Sequence, residues 1–523
     1  MKHFMKKYRL DLILVLLFAV YALFLSVSGV LSFSRMKVEG IDPVCYYSYL
    51  RSVVFDGDLD FENEYQRLES TGTLLSYDRT QTGRMSNTFS AGPAIAVSPF
   101  FLVAHFLVKI TNIAPADGFS QPYHVSVFIG LAFYALAGLL LLKRWLALYF
   151  NEWTAFTAAM VTWFASSAVY YAWPLTFMPH AISLFFVLLF LFYAEKSRYK
   201  ESWKRWAVLG VLAGAMALMR WQNLIFILFI FPDVWKTWKE KSPAAVLKNQ
   251  FLPGFLFSLL IFLPQVIAWF ILYGRPFTVP QGRGFLIWSR PEIFSILFST
   301  FNGLFTWTPV TLFGIAGIVV WIVKKKEKTV PVALLVIFLF QLYLNSIVRD
   351  WHGSWGFGMR RFVNCLPVFA LGAGYLVMLL RKKVDKILTF SAVALFIVWN
   401  GLFLVQYYLH LVAWNRPLTF HEMVTDKLHI MTSINRRRFV KTAYSSARKG
   451  YYDDVEKALK IATDLDPSHA DIYFAAAQIA ESQGNYESAL KLYRIASEFA
   501  PGDPDIPKAV KKMRRLLNPE SRP

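Results

Sequence analysis

Apolar stretches long enough to cross a bilayer recur along most of this 523-residue chain, and polar or basic residues end each one. A helix needs about twenty apolar residues to span the hydrocarbon layer. Runs of roughly that kind lie at 12–33, 91–108, 123–142, 153–172, 177–193 and 206–219. Others follow at 224–235, 251–273, 302–323, 330–347, 362–380 and 387–409. The pattern predicts an all-α polytopic membrane protein. The first run follows MKHFMKKYR and is too long for a cleaved signal core, so it reads as a retained first span.

Charge decides how the runs thread. The composition is 56% hydrophobic and 17% charged, with a net charge of +21. Most Lys and Arg sit in short clusters between runs, the signature of inner loops and not of nucleic-acid binding. If 91–108 crossed the membrane, Lys143 and Arg144 and all later basic clusters would lie outside. If it lies in the interface, they all lie inside, and its Pro93 and Pro99 suit a broken or interfacial helix. The expectation is therefore about eleven crossings, a cytoplasmic N-terminus, and a large first extracytoplasmic loop at 34–122. Cys45 and Cys365 are too few for a disulfide framework and read as buried thiols.

After about residue 415 the chain turns polar, with a linker at 416–435 and a helical region at 436–523. Gly450, Tyr452, Ala462 and Pro467 recur 34 residues later as Gly484, Tyr486, Ala496 and Pro501. That period and residue set resemble the tetratricopeptide repeat, which implies a small α-helical domain that contacts a protein partner. An odd number of crossings puts this tail outside.

The candidate chemistry gathers at span ends on the outer side. The stretch GIDPVCYYSYLRSVVFDGDLDFENEY at 40–65 is the one strongly acidic patch. Asp42 stands at its start, where it is either an N-cap or a functional carboxylate at the membrane surface. Asp56, Asp58 and Asp60 either end a helix in a solvated turn or hold a divalent cation. Arg360 and Arg361 precede a late span, and Arg220 ends an earlier one. Each is either a snorkelling anchor or an anion holder. His180, Asp350, His352 and Tyr46 complete the polar groups expected near the same face.

Asp42 just past the first span, the Gly57–Asp58 pair sixteen residues on, the segment NTFSAGPAIAVSPF at 87–100, and Gly358–Arg361 together resemble the GT-C superfamily of membrane glycosyltransferases. The branch with protein O-mannosyltransferases and the lipid A aminoarabinose transferase is the most similar. The resemblance covers about residues 1–410 of a domain at 1–415. Pro43 stands where that family often has a second acid. The resemblance implies a GT-C-like bundle and sugar transfer from a polyprenyl-phosphate donor to an extracytoplasmic hydroxyl of a lipid, glycan or protein. It implies Asp42 as general base of an inverting displacement, and Arg360, Arg361 and Arg220 as phosphate holders. Asp58, His180, Asp350, His352 and Tyr46 would line the site. No cofactor follows with certainty; a divalent cation at Asp56, Asp58 and Asp60 is the alternative that the spacing of the acids offers. An O-antigen ligase or polymerase fits less well, because its large outer loop is a late one. A transporter or flippase fits less well because residues 1–410 carry no paired repeat. The chain would sit in the inner membrane as a multi-pass protein, with the site and tail extracytoplasmic.

Overall fold

The computed structural model describes residues 2–27, 36–69, 72–76, 78–172, 177–200, 202–282, 284–353, 356–383, 386–413 and 416–518. The end of the first apolar run, 28–33, lies outside the described residues. The fold is all-α, and the described residues form no sheet, only two isolated bridges.

The helices are α1 Lys2–Val27, α2 Ile41–Arg51, α3 Glu62–Leu68, α4 Gly92–Thr111, α5 Gln121–Leu146 and α6 Glu152–Phe164. Next come α7 Ala168–Tyr171, α8 His180–Lys196, α9 Trp203–Met219, α10 Phe231–Glu240, α11 Pro243–Val246 and α12 Leu252–Tyr273. They are followed by α13 Ile293–Phe298, α14 Leu304–Trp307, α15 Val310–Lys324, α16 Thr329–Ser346, α17 Leu366–Lys383 and α18 Lys386–Tyr408. The tail holds α19 Asp426–Leu428, α20 Ile430–Arg448, α21 Tyr452–Leu465, α22 Ala470–Ser482, α23 Tyr486–Phe499 and α24 Asp505–Leu517.

Six stretches among the described residues are long and apolar enough to cross a membrane: Gly92–Thr111, Gln121–Leu146, Pro243–Tyr273, Thr329–Ser346, Arg360–Arg381 and Ile387–Tyr408. The chain is a multi-pass membrane protein. Other apolar runs fold into shorter helices: α6 has 13 residues, α15 has 15, and α8 and α9 have 17 each. Two runs are split. The 224–235 run divides between a 3-10 segment, Trp221–Ile230, and α10, whose Pro232 sits in the first turn. The 302–323 run breaks between α14 and α15 at Thr308 and Pro309, since proline has no N–H to continue the first helix. Conversely, the 91–108 run is one continuous helix, α4, with Pro93 in its first turn and Pro99 inside it. Its exposed side carries Ile95, Leu102, Val103, Phe106, Leu107 and Ile110, and its other side is buried.

Two compact units emerge. The first comprises Met1–Ile296, Thr308–Trp351 and Met359–Ile397; the second comprises Leu297–Trp307, His352–Gly358 and Val398–Pro523. In the first, α9 packs along α12 and α15 along α17. Small residues allow the close approach. A Cβ at Gly372 would overlap the Gly314 carbonyl oxygen, and one at Gly317 would overlap the Gly372 carbonyl. Gly372→Ala should therefore force α15 and α17 apart and cost about 1–3 kcal/mol or more. A melting temperature of the detergent-solubilised variant equal to wild type would contradict this packing.

In the second unit, α20 pairs with α21 and α22 with α23, and α24 closes the end against α23. The two hairpins use the same positions 34 residues apart. Gly450 and Gly484 both have left-handed backbones, at φ 78° and 77°. Ala443 and Ala477, Val455 and Ala489, and Ala462 and Ala496 are all buried.

Candidate functional site

The site begins at the N-terminus of α2. Gly40 precedes it with φ 85°, a left-handed conformation that a side chain would oppose. Gly40, not Asp42, is the N-cap residue, and it makes no side-chain cap. Asp42 falls in the first helical turn, where the helix dipole favours a negative charge. Its Oδ2 lies 3.0 Å from Nη1 of Arg360, and the two side chains are 25% and 18% exposed.

Arg360 opens a 3-10 turn, Arg360–Cys365, that runs into α17. Its neighbour Arg361 donates from Nη2 to Oδ1 of Asp350 at 2.7 Å. Nη1 of Arg361 is buried and has no acceptor among the described residues. A buried, unsatisfied guanidinium N–H is costly, and it leaves a donor able to bond an anion.

Arg220 occupies the extended residue between α9 and the following 3-10 segment. Its Nη1 donates to Nδ1 of His180 at 3.2 Å, so His180 accepts there. The His180 ring rests on Tyr171 at 4.6 Å. Arg220 lies within electrostatic reach of Tyr46, Arg361, Arg360 and Asp42. Tyr46 is buried against Phe89 and Phe177. Three guanidiniums thus share a site with two carboxylates, leaving one positive charge in excess.

A buried polar layer supports these groups. Asn364, in the Arg360–Cys365 turn, donates to Ser183 of α8 at 3.0 Å and to Asn223 at 2.7 Å. Asn223 donates to Ser183 at 2.7 Å. Together they lock the three elements that carry His180, Arg220 and Arg360. Asn87 fixes α2 from the other side, donating to the Cys45 carbonyl at 2.8 Å, while Tyr273 donates to the Asn87 carbonyl at 2.8 Å. Nothing in the sequence singles out this layer beyond polar residues within apolar runs.

Asp58 stands apart from Asp42. Asp58 follows the far end of α2 and its π-helical extension, Ser52–Asp56, on the order of 20 Å from Asp42 by helix rise. Its Oδ1 accepts from Ser52 Oγ and the Asp60 N–H. Asp56 binds Arg51 and Asn63. Arg51, absent from the sequence-based candidates, also binds Glu64 at 2.9 Å and lies 4.3 Å over the Phe119 ring. Burial pushes Glu64 up to about 7 against the pull of Arg51. This end of the acidic stretch is a structural clamp. His352 falls in the second unit, stacked on Phe301 at 4.3 Å, with its carbonyl accepting from Asn302.

A His/Asp cluster able to coordinate a divalent cation is present, but at His421, Asp426 and Asp466 in the tail, not at Asp56, Asp58 and Asp60. Arg436 is buried inside it and donates to Asp426 at 3.1 Å and to Asp466 at 2.6 Å. One guanidinium already pairs with both carboxylates there. His469 bonds Asp426 at 3.1 Å. Burial alone would lower the His469 pKa, but Asp471 and Asp426 more than reverse it, to about 9. A raised histidine stabilises the fold fully below its unfolded pKa of about 6.5 and loses that contribution as pH rises through about 9. Amide exchange of α20–α22 in the full chain should therefore quicken between pH 7 and 9, beyond the intrinsic rate change. Equal protection across that window would contradict the role of His469.

No family model matches the chain, and no curated protein does. Among solved structures the chain is similar to ArnT from Cupriavidus metallidurans in the apo state, with TM-score 0.47 and 11% identity. That alignment covers 91% of this chain and 79% of the other. So slight a likeness carries no argument about activity, which rests on the residues of the site.

Proposed function

We propose that this protein is a membrane glycosyltransferase that moves a sugar from a polyprenyl-phosphate donor to an extracytoplasmic acceptor hydroxyl. The observation that carries this reading is the Asp42–Arg360 pair, flanked by Arg220 and by Arg361 with its unsatisfied donor. One excess positive charge suits the single negative charge of a sugar phosphodiester. The resting ion pair also suggests how the reaction is ordered. Donor phosphate draws Arg360, Arg361 and Arg220, which frees the Asp42 carboxylate. Asp42 then accepts the proton of the acceptor hydroxyl as its oxygen attacks the anomeric carbon. The bond from that carbon to the phosphate oxygen breaks, the arginines take up the developing charge, and configuration inverts. Tyr46, His180 and Asp350 line this space, the last two each holding an arginine in place.

The N-terminus is assigned to the cytoplasmic side of the inner membrane, and the site and the tail to the outer side. The tail's paired hairpins are read as tetratricopeptide-like and as a surface for a protein partner. Mass spectrometry of lipid-linked sugars and glycans in a deletion strain tests the activity. A polyprenyl-phosphate sugar should accumulate while one glycan loses a residue. Unchanged pools of both would refute the reading.

A further inference from the structure

The tail carries a second cationic site, unconnected with the proposed chemistry. A groove of about 430 Å³ is lined by Leu409 and Leu411 on one wall and by Ile434, Arg437, Arg438 and Lys441 of α20 on the other. It continues into a second groove of about 440 Å³ bordered by Arg448 and Lys449. Among the described residues none of these five cations takes part in an ion pair, although the tail is otherwise dense with them. Nε of Arg437 is buried and has no acceptor among the described residues. The acid acting on Arg437 is Asp471, whose carboxylate already serves His469 and Arg436.

The position of the groove says what fills it. Leu409 directly follows the membrane-spanning stretch Ile387–Tyr408, so one wall begins where a span reaches the headgroup layer. Tyr407 and Tyr408 end that span, as interfacial aromatics do. Large apolar side chains lie exposed in the same unit: Phe420 at 77%, Leu428 at 63% and Met431 at 66%. Along α20, Met431, Ile434, Arg438, Lys441, Ser445 and Arg448 fall on one helical stripe, apolar first and cationic after. An apolar rim beside unpaired guanidiniums is the chemistry of an anionic lipid headgroup site.

We infer that the α20 groove binds the phosphate headgroup of an anionic membrane lipid and so seats the tail on the bilayer surface. The test uses the full chain with Ser445→Cys carrying an environment-sensitive fluorophore, Cys45 and Cys365 being buried. The labelled protein is placed in nanodiscs of phosphatidylcholine alone, or of phosphatidylcholine and phosphatidylglycerol at three to one. The local probe keeps lipid bound near Arg360 out of the signal. The expected result is a blue shift only with phosphatidylglycerol. Arg437→Gln/Arg438→Gln/Lys441→Gln should abolish it and raised salt should weaken it, while Arg438→Lys retains it. The same shift in both nanodiscs, or its survival in the triple variant, would overturn the inference. So would its reproduction by inorganic phosphate in detergent, which would make the groove a receptor for free anions.

Discussion

Asp42→Asn should lower sugar transfer by about 10²–10⁴-fold, the range a positioned general base contributes. The side chain keeps its shape and its place in the first turn of α2 but can no longer accept a proton. Fold should be little affected, because Gly40, Asn87 and Tyr273 fix α2 independently of the carboxylate. The loss should appear in kcat with donor affinity kept or tightened, because the arginines hold the donor and Arg360 no longer has Asp42 as a competing partner. Asp58→Asn is the paired control. Its carboxylate shapes the turn after Ser52, and transfer should stay within about threefold of wild type. A wild-type rate in Asp42→Asn membranes with normal expression would remove Asp42 from the chemistry.

Arg360→Gln should cost about 10²-fold or more in kcat/KM, the scale for removing one group that stabilises developing charge. Two effects combine. The donor phosphate loses a guanidinium, and Asp42 loses its partner. Because Asp42 is about a quarter exposed, water relieves part of the second effect, so the protein should still fold. Unlike Asp42→Asn, this variant should also weaken donor binding, measured with a labelled polyprenyl-phosphate sugar. If the double variant is no worse than the worse single one, the two groups act in one step. Additive losses would mean that they act separately.

Much of the architecture is legible in the sequence because lipid imposes a simple rule. Runs of apolar residues must become helices, and the recurring runs yield a multi-pass, all-α chain. Helix breaks were harder to read. Ile230–Phe231 and Thr308–Pro309 interrupt apolar runs at points where hydropathy barely changes, so 224–235 and 302–323 look like single spans in sequence. Pro99 suits a broken or an interfacial helix, and α4 is not broken. In α4 its missing N–H is tolerated within a continuous helix.

The candidate site was legible in its residue types but not in its pairing. Asp42 and Arg360 stand out because each is charged beside an apolar run, but only the fold brings them to 3.0 Å. The acidic stretch looked like one feature and serves two roles. Its first acid faces the arginines, while Asp56 and Glu64 hold Arg51. The buried triad Ser183, Asn223 and Asn364 gave no local signal, because each is a lone polar residue whose partners lie on other elements. The tail's network is similar. Arg436 meets Asp426 and Asp466 only once the hairpins form, so the 34-residue period reveals the hairpins but not the ion cluster.

The decisive measurement is release of free polyprenyl phosphate from a labelled polyprenyl-phosphate sugar by the purified, reconstituted protein, supplied with membrane extract as acceptor. The account predicts release in step with sugar appearing on the acceptor, and near-background release by the Asp42→Asn protein. No bond cleavage by the wild-type chain, or equal release by both proteins, would contradict it.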